Sequence, residues 1–446
     1  MPRPSKHVPP ETLGGRIRAA RESQRLSLAE VAAERYSTSL ISQIERNRVE
    51  PSQESLQYLS EKLKLPFGEL DRLAQMQRET DSEEQQFKHY EELRTRAEQA
   101  RANKAPLRGL EILGNLSFSQ IPPSLRWRLA TLRGQCYFDH RKFLPAQQDF
   151  LIAIAEKPEA VPLDLQAEEM ILHLRLAATY RELEQLEEAL KEYQTALDMM
   201  DFNTSLLYIA ETHWGLSLVA SVLADKPTNG HVCPGKRAEL LSTALDHAKN
   251  ASVLYRSVND SVREALLLCQ IGLIEKARGN PDEARQQLRN VLDTWQPRLE
   301  LTLEGQPQRK ERANLVSAVA CSLASLELQE QHYDDAEAYA RLAKKTGQQS
   351  YKIRRAEASM ILGRILEAKQ LHDPEAQQAF EYAINVLAST DRLSARIRAH
   401  NWLGRHLMKK GDVAAGEKEL DHAFALANLA SGNTGPTIIP EGEPVD

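Results

Sequence analysis

A short segment near the amino end places small or amide-bearing polar side chains on one side of a predicted helix. These side chains belong to Thr38, Ser39, Ser42 and Gln43. The opposite side is apolar, because Leu40, Ile41 and Ile44 are spaced to face a core. Base edges in the DNA major groove offer donors and acceptors, and short side chains allow close approach. The pattern therefore predicts a helix that reads bases, with Gln43 suited to paired contacts with adenine.

Arginines near this segment are candidates for contacts with DNA phosphates. Arg46 and Arg48 follow the helix, and Arg16 lies in an earlier predicted helix. Phosphate contacts position a protein on the duplex and do not specify the sequence. A proline-rich arm at the amino end could also lie along DNA, or it could be a disordered start without contacts. The basic residues of this arm are Arg3, Lys6 and His7.

The flanking residues predict the helices that must position this segment. Ser37 is the expected N-cap, since a serine oxygen accepts a hydrogen bond from a first-turn amide, and residues 27–32 are typical of a second capped helix. Five short helices fit between residues 12 and 74. This stretch resembles the Cro-like (XRE) helix-turn-helix family. The resemblance is carried by Ile17, Arg21, Leu28, Val31, Ala32, residues 41–47, Pro51, Ser52, Leu56 and residues 66–70.

The resemblance implies a DNA-binding head with an ion pair between its first and third helices. In this sequence the paired positions are Arg21 and Glu45. One segment departs from the family pattern: the turn at residues 33–37 is about one residue short and has no glycine. We therefore expect a tighter turn or a different start of the third helix. The alternative for the whole head is a helix-turn-helix fold that binds protein instead of DNA.

Composition and charge restrict the class of protein. The 446 residues favour helix nearly throughout, with few aromatic residues, and they contain no apolar run long enough to predict a membrane span. The net charge of −6 excludes a generally basic nucleic-acid binder, so DNA contacts must be local. Four scattered cysteines favour reduced thiols, and the amino end has no signal-peptide pattern. A cytoplasmic location is expected.

A recurring pattern of small and bulky residues occupies most of the chain. A small residue is followed by a larger one at offset 3, then by small, bulky and small residues at offsets 12, 16 and 19. Two sets that fit all five positions are Gly134, Tyr137, Ala146, Phe150 and Ala153, and Ala177, Tyr180, Ala189, Tyr193 and Ala196. This pattern resembles the tetratricopeptide repeat. It predicts about seven helix pairs, preceded by a weaker pair over residues 89–118, that stack into a solenoid with a concave face.

The predicted fold is all-α, with a five-helix helix-turn-helix head followed by a tetratricopeptide-repeat α-solenoid. Residues 12–74 form the head, and residues 75–88 are a polar linker or a helical extension. The solenoid covers residues 89–429. The amino-terminal arm, residues 1–11, and the tail, residues 430–446, are expected to be disordered.

Cationic and amide side chains are predicted to line the concave face. Such a groove could hold an extended peptide, with arginines on carboxylates and amides on the peptide backbone; the alternative is a solvated inner face. These candidates for effector binding are Arg175, Arg181, His213, Gln270, Lys276, Arg364, Asn401 and Arg405.

Catalytic and metal-binding signals are weak in the sequence. It contains no phosphate-binding loop, no dinucleotide-binding glycine motif and no His-Glu-x-x-His motif. His231 and Cys233 are close together, but no second pair completes a zinc site. Asp334 and Asp335 lie where a helix should begin, which favours capping. We therefore expect neither an enzyme nor a cofactor.

The order of the two domains resembles bacterial peptide-responsive quorum-sensing regulators. That resemblance implies a transcriptional regulator that binds a peptide or protein effector. Because one reading helix contacts few base pairs, a homodimer on a pseudo-palindromic double-stranded operator is expected. The alternative is a repeat-based docking scaffold for another protein, with weak attachment to DNA. The sequence does not specify the operator, the effector or the dimer surface.

Overall fold

The computed structural model describes residues 9–225, 234–303 and 305–430. Over these ranges the chain forms twenty α-helices, two short 3-10 helices and no strands, so the predicted all-α class is confirmed. The chain divides into two compact units. The first, which we call the head unit, holds Met1–Gln99 and Asn115–Arg126; the second, the repeat unit, holds Ala100–Gly114 and Trp127–Asp446.

Five helices begin between residues 12 and 74, as the sequence predicts. They are α1 (Leu13–Ser23), α2 (Leu28–Ala32), α3 (Thr38–Glu45), α4 (Gln53–Lys62) and α5 (Glu69–Ala102). Residues 75–88 all lie within α5, so they take the second of the two predicted forms, a helical extension.

Serine side chains begin three of these helices. The Ser37 hydroxyl accepts a hydrogen bond from the Leu40 amide at 3.1 Å, which confirms Ser37 as the N-cap of α3. Ser27 forms a capping box with Glu30 at the start of α2. Each cap satisfies amides that a first helical turn leaves free, so the helix starts are fixed by local chemistry.

Helices α1 to α5 share an apolar core, and the predicted core residues enter it. Ile41 and Ile44 of α3 are 1% and 2% exposed, while Leu40 is half-buried against the same core. The residues of this core are Leu13, Ile17, Ala20, Val31, Ala32, Ile41, Ile44, Leu56, Leu59, Leu63, Leu70 and Ala74. The apolar side of α3 is therefore buried in the core, and its polar side faces solvent.

The turn between α2 and α3, which is about one residue shorter than the family pattern, contains a strained backbone conformation. Ala33 ends α2 with φ 46° and ψ −143°. Residues with a Cβ atom rarely adopt these backbone angles, and a non-glycine residue that does so lowers the stability of the fold by about 1–3 kcal/mol. The expected tighter turn is therefore achieved by an unfavourable conformation at a residue with a Cβ atom.

The repeat unit contains the predicted array of helix pairs. After α6 (Pro106–Leu113), seven consecutive pairs follow in chain order. They are α7 and α8 (Pro123–Asp139, Phe143–Glu156), α9 and α10 (Gln166–Glu182, Leu186–Asp198), α11 and α12 (Leu206–Ala224, Pro234–Ser257), α13 and α14 (Ser261–Arg278, Pro281–Glu300), α15 and α16 (Pro307–Gln329, Tyr333–Gly347), α17 and α18 (Lys352–Lys369, Pro374–Leu387), and α19 and α20 (Leu393–Lys409, Val413–Ala430).

Glycines and bulky side chains interlock within the pairs at the predicted spacing. A Cβ atom placed on Gly134 would lie 2.7 Å from the Phe150 ring, and one on Gly363 would lie 2.8 Å from the Phe380 ring. Neither approach is possible for a side-chain-bearing residue without displacement of the ring. The alternation of small and bulky residues therefore sets the distance between the two helices of a pair, and each pair packs as one unit.

One helix of the described residues has the length and composition of a membrane span. It is α11, Leu206–Ala224, although the sequence analysis expected no span. Its Ala210, Leu216 and Val219 are at most 2% exposed and belong to apolar cores of the repeat unit. The helix therefore packs as one member of the repeat array.

Several predicted features lie wholly or partly outside the described residues. They are most of the amino-terminal arm with Arg3, Lys6 and His7, the His231 and Cys233 pair, and the tail after residue 430.

Replacement of Ala33 by glycine is expected to stabilise the head unit by about 1 kcal/mol, because glycine adopts this backbone conformation without the steric cost. Hydrogen exchange of the α3 amides in the full chain measures the change as slower exchange. Ala29→Gly, four residues earlier on the exposed side of α2, is the matched control and should speed exchange. Equal effects of the two changes would contradict strain at Ala33.

Candidate nucleic-acid interface and repeat cavity

Helix α3 presents the predicted polar side chains to solvent. Thr38, Ser39 and Gln43 are exposed, and Ser42 is half-buried. The helix is eight residues long, so these four side chains form one short face. That face carries hydroxyl and amide groups, which can both donate and accept hydrogen bonds at base edges.

The three arginines predicted to contact phosphate have different surroundings. Arg46, which caps the carboxyl end of α3, and Arg48 are exposed, and neither forms an ion pair with a described residue. Arg16 instead donates from Nε to Glu69 Oε1 at 2.7 Å and from Nη2 to Oε2 at 3.3 Å. The hydrogen bond from Arg16 holds the pKa of Glu69 below its usual value. Of the three predicted arginines, Arg46 and Arg48 are therefore the two whose charge is available for contacts with DNA phosphates.

A bidentate ion pair fixes α3 to α1. Arg21 Nε lies 2.5 Å from Glu45 Oε1 and Nη2 lies 3.0 Å from Oε2, while Nη1 donates to the Leu26 carbonyl at 3.1 Å. Glu45 is 5% exposed. The hydrogen bond to Glu45 raises the pKa of Arg21 against the opposing effect of burial. The pair that the resemblance implied is confirmed, and it sets the angle of the polar face.

A second contact holds the carboxyl end of α3, and the sequence analysis did not identify it. Asn47, in a left-handed conformation with φ 51°, accepts from the Gly14 amide at 2.7 Å and donates to Thr12 Oγ1 at 2.9 Å. A Cβ atom on Gly14 would lie 2.3 Å from the Ile44 carbonyl oxygen. Glycine at position 14 is therefore required for this approach, and the signal in the sequence was a glycine inside a predicted helix.

The repeat unit brings its early and late helix pairs together. Glu182 at the end of α9 forms an ion pair with Arg392 at the start of α19, and Glu184 pairs with Arg398 at 2.8 Å. Arg141 lies 4.9 Å from the centre of the Tyr351 ring. Burial alone would raise the pKa of Glu182, but Arg181 and Arg392 outweigh it, and the pKa is lowered. The array thus closes on itself across about 210 residues of sequence.

A large cavity of about 1290 Å³ lies inside this closed array. Its lining includes ten Lys or Arg and four Asp or Glu side chains, so it is cationic in a protein of net negative charge. The charged residues are Arg141, Lys142, Arg181, Arg263, Lys310, Lys352, Arg354, Arg355, Arg392 and Arg396, with Glu182, Glu211, Glu357 and Asp391.

Some buried polar atoms of the cavity lining have no protein partner. They are Trp214 Nε1, Arg355 Nε and Asp391 Oδ2. A buried donor or acceptor without a partner costs about 1–3 kcal/mol. Two donors and one acceptor of lining residues are therefore left without a partner among the described protein atoms.

The cavity takes in two of the eight predicted effector residues, Arg181 and Gln270. Arg175 pairs with Glu211 at 2.5 Å, and Arg364 lies 4.5 Å from the centre of the Trp402 ring. The predicted residues outside the lining are Arg175, His213, Lys276, Arg364, Asn401 and Arg405. They share inner-helix positions with Arg181 and Gln270, but the lining extends only to Glu357 in α17 and to Arg396 in α19, which lie near the starts of these helices.

Many lining residues lie in or beside the connections between helices, outside the repeat positions that predicted the inner face. Residues 140–143 join α7 to α8 within the first pair, and residues 350–355 and 388–392 lie where the chain enters α17 and α19. Their available signal was the cluster of basic residues at the beginning of inner helices, as in residues 352–355 (KIRR). Repeat offsets count from the packing residue inside each helix, so they do not include these connections.

Comparison with known proteins supports the helix-turn-helix fold of the head and the helical-repeat fold of the rest of the chain. The model of the helix-turn-helix family matches residues 17–70, which contain α2, α3 and α4. The search of curated proteins found no match to the chain.

Solved structures resemble the chain at low sequence identity. A Rap protein complexed with competence and sporulation factor matches with a TM-score of 0.52 at 14% identity, over 94% of this chain and 99% of that one. A Rap conjugation gene regulator of the plasmid pLS20 with the Phr* peptide gives 0.43 at 12%, over 96% and 98%. Bacillus thuringiensis PlcR with the peptide PapR7 and DNA gives 0.29 at 13%, over 64% and 96%. The first of these supports the helical-repeat fold.

Replacement of Arg21 by leucine is expected to destabilise the head unit by about 3 kcal/mol, because the Glu45 carboxylate would stay buried without its cation. Hydrogen exchange of the α3 amides in the full chain measures this loss. The double change R21L/E45L should recover most of it. Arg18→Leu, which removes an exposed pair with Glu22 on the same helix, should have little effect. A similar loss from R18L would show that the buried pair is not what holds α3.

Proposed function

We propose that the protein is a cytoplasmic, sequence-specific DNA-binding transcriptional regulator whose repeat unit binds a peptide or protein effector. The observation that carries the DNA half is the exposed polar face of α3, held by the Arg21–Glu45 pair within a stretch that matches the helix-turn-helix family. A helix held this rigidly can enter a major groove without paying to order itself there.

Different side chains would carry the base contacts and the phosphate contacts. Gln43 can form two hydrogen bonds with adenine, and Thr38, Ser39 and Ser42 would make shorter contacts. Arg46 and Arg48 would bind phosphates beside the groove. The head is nearly neutral, with 11 Lys or Arg and 10 Asp or Glu over residues 11–78. Because Arg16 is paired with Glu69, Arg46 and Arg48 are the two predicted phosphate-binding arginines that carry local positive charge without an ion pair to a described residue.

A homodimer on a pseudo-palindromic operator follows from the size of α3. An eight-residue helix contacts too few base pairs for high specificity. Two copies on half-sites about 34 Å apart, one turn of DNA, would double the contacts. We propose that the operator has this two-fold form.

The cavity of the repeat unit favours an anionic peptide as effector. Its volume of about 1290 Å³ exceeds the roughly 300–1,000 Å³ typical of small-molecule pockets. Arginine forks bind carboxylates in a bidentate way, so Arg354, Arg355 and Arg392 suit acidic side chains or a terminal carboxylate. The similar Rap structure is a complex with competence and sporulation factor, which agrees with a ligand-binding repeat array.

Effector binding would act by favouring one arrangement of the repeats. A ligand shifts an equilibrium only if it binds one state better than the other. Residues from both ends of the array line the cavity, including Glu182 and Asp391, so a ligand there would contact both ends only when the array is closed. We propose that the protein acts by binding and has no catalytic activity of its own.

Replacement of Gln43 and Arg46 by alanine together is expected to abolish specific operator binding and leave the helical content unchanged. Selection of bound fragments from genomic DNA first identifies the operator, and gel shifts then measure affinity. Gln43→Ala alone should relax specificity at one base pair by about 1–3 kcal/mol. Arg46→Ala alone should weaken binding to all sequences and lower the salt slope by about 1.

Arg256→Ala, an exposed arginine of the repeat unit, is the control and should bind operator as the wild type does. A footprint that survives the double change would place the reading face elsewhere. A selection that enriches no DNA sequence, together with a repeat unit that retains a protein from cell extract, would favour the docking scaffold.

Replacement of Trp214 by phenylalanine is expected to weaken effector binding about tenfold, because the ring remains and the unpartnered N–H donor is lost. The ligands to test come from a library of short peptides rich in Asp and Glu, selected on the wild-type chain and measured by calorimetry. Trp295→Phe, a buried tryptophan of the repeat unit outside the cavity, is the control. Equal affinity of W214F and wild type would show that the ligand does not use this donor.

A further inference from the structure

Three potential metal ligands meet between the last two helices of the array. His400 lies on α19, and Glu419 and His422 lie on α20, one turn apart. One ligand atom from each lies within 4.8 Å of the others. His400 Nδ1 is 2.7 Å from Glu419 Oε2, and His422 Nδ1 is 4.0 Å from Glu419 Oε1. The side chains of His400 and Glu419 are 13% and 20% exposed, and that of His422 is 51% exposed.

The second helix pair of the array supplies an internal comparison. There His173 Nδ1 lies 2.6 Å from Glu192 Oε2. His173 and Glu192 precede and follow Ala177 by the same four and fifteen residues that separate His400 and Glu419 from Gly404. The His–Glu hydrogen bond is therefore a feature that the repeat geometry produces wherever those two residues occur.

The last pair differs from the second pair by a third ligand. Three residues after the glutamate, the second pair has Thr195 and the last pair has His422. Residues three apart on a helix lie on the same face, so His422 joins the cluster and Thr195 cannot supply an imidazole. Repeat packing accounts for the His400–Glu419 contact, but it does not account for the added imidazole beside it.

We propose that His400, Glu419 and His422 bind a divalent transition-metal ion, with Zn²⁺ as the ion to test. Two imidazole nitrogens and one carboxylate oxygen are a ligand set that Zn²⁺ accepts, and Mg²⁺ or Ca²⁺ prefers oxygen alone. Ligands about 2.0 Å from a tetrahedral Zn²⁺ lie roughly 3.3 Å apart. The 2.7 Å and 4.0 Å contacts straddle this value, so the His400–Glu419 contact would lengthen by about 0.6 Å and the half-exposed His422 ring would approach by about 0.7 Å.

The bound ion would replace the hydrogen bond of the His–Glu pair. His400 would carry its proton on Nε2 and give the Nδ1 lone pair to the metal. A water molecule would complete four-coordination, because His422 leaves the site open on its solvent side. Coordination would then fasten α20 to α19. Within the described part of the chain no helix follows α20, and its Phe424 is 68% exposed, so this last helix is held from one side.

The test measures zinc uptake by the full chain without a histidine tag. All variants carry H231A and C233S, which removes the other close His and Cys pair. Metal-stripped protein is titrated with Zn²⁺ against a chromophoric chelator, and with Mg²⁺ as a competitor. His422→Thr, which copies the second pair, is expected to lose one equivalent of Zn²⁺ or at least tenfold in affinity. His173→Ala, which breaks the matching pair without a third ligand, is expected to keep wild-type uptake.

Thermal unfolding gives a second readout. Zn²⁺ should raise the Tm of the wild type and of H173A relative to EDTA, and should not raise that of H422T, since only binding to the native state stabilises it. Circular dichroism confirms that H422T is folded, as expected for a half-exposed side chain. Equal zinc uptake by wild type and H422T, or uptake that Mg²⁺ displaces, would overturn the proposal.

Discussion

The bidentate contact between Arg21 and Glu45 is the interaction on which the candidate DNA-reading surface depends. Burial of a carboxylate at 5% exposure is unfavourable unless a cation and further hydrogen bonds compensate it. Arg21 provides both, and its remaining donor binds the Leu26 carbonyl. Such a pair tolerates only one arrangement of α1 against α3, so it specifies an angle more than it adds stability. The contacts of Asn47 with Gly14 and Thr12 hold the same carboxyl end of α3 to the start of α1, and together with the ion pair they determine where the polar face lies.

The repeat unit uses charge differently, because its cations outnumber their partners. Burial opposes the charge on Arg354, and Glu357 compensates for it, so the pKa of Arg354 stays raised. Around it the cavity retains ten cationic and four anionic side chains, together with donors that no protein atom satisfies. A core selected only for stability would not keep such a surplus. The surplus is consistent with a surface shaped for an anionic ligand, which would lower the cost of the closed state.

Local patterns in the sequence predicted the elements, and long-range contacts escaped it. Ser27 and Ser37 mark helix starts by their own hydrogen bonds, and the Gly134–Phe150 spacing encodes the distance between two helices. The strain at Ala33 followed from a turn that was visibly one residue short. The contact of Glu182 with Arg392 had no local signal, because it depends on curvature summed over many repeats. The cavity lining escaped for the same reason.

In a repeat architecture few substitutions are needed to form a new binding site, as the last helix pair illustrates. Equivalent offsets place His173 beside Glu192 and His400 beside Glu419, so the scaffold already provides two adjacent polar groups in register. One further substitution on the same face supplies a third. In the last pair, then, packing positions such as Gly404 fix the distance between the helices, and the half-exposed His422 lies outside the apolar core and is available for binding.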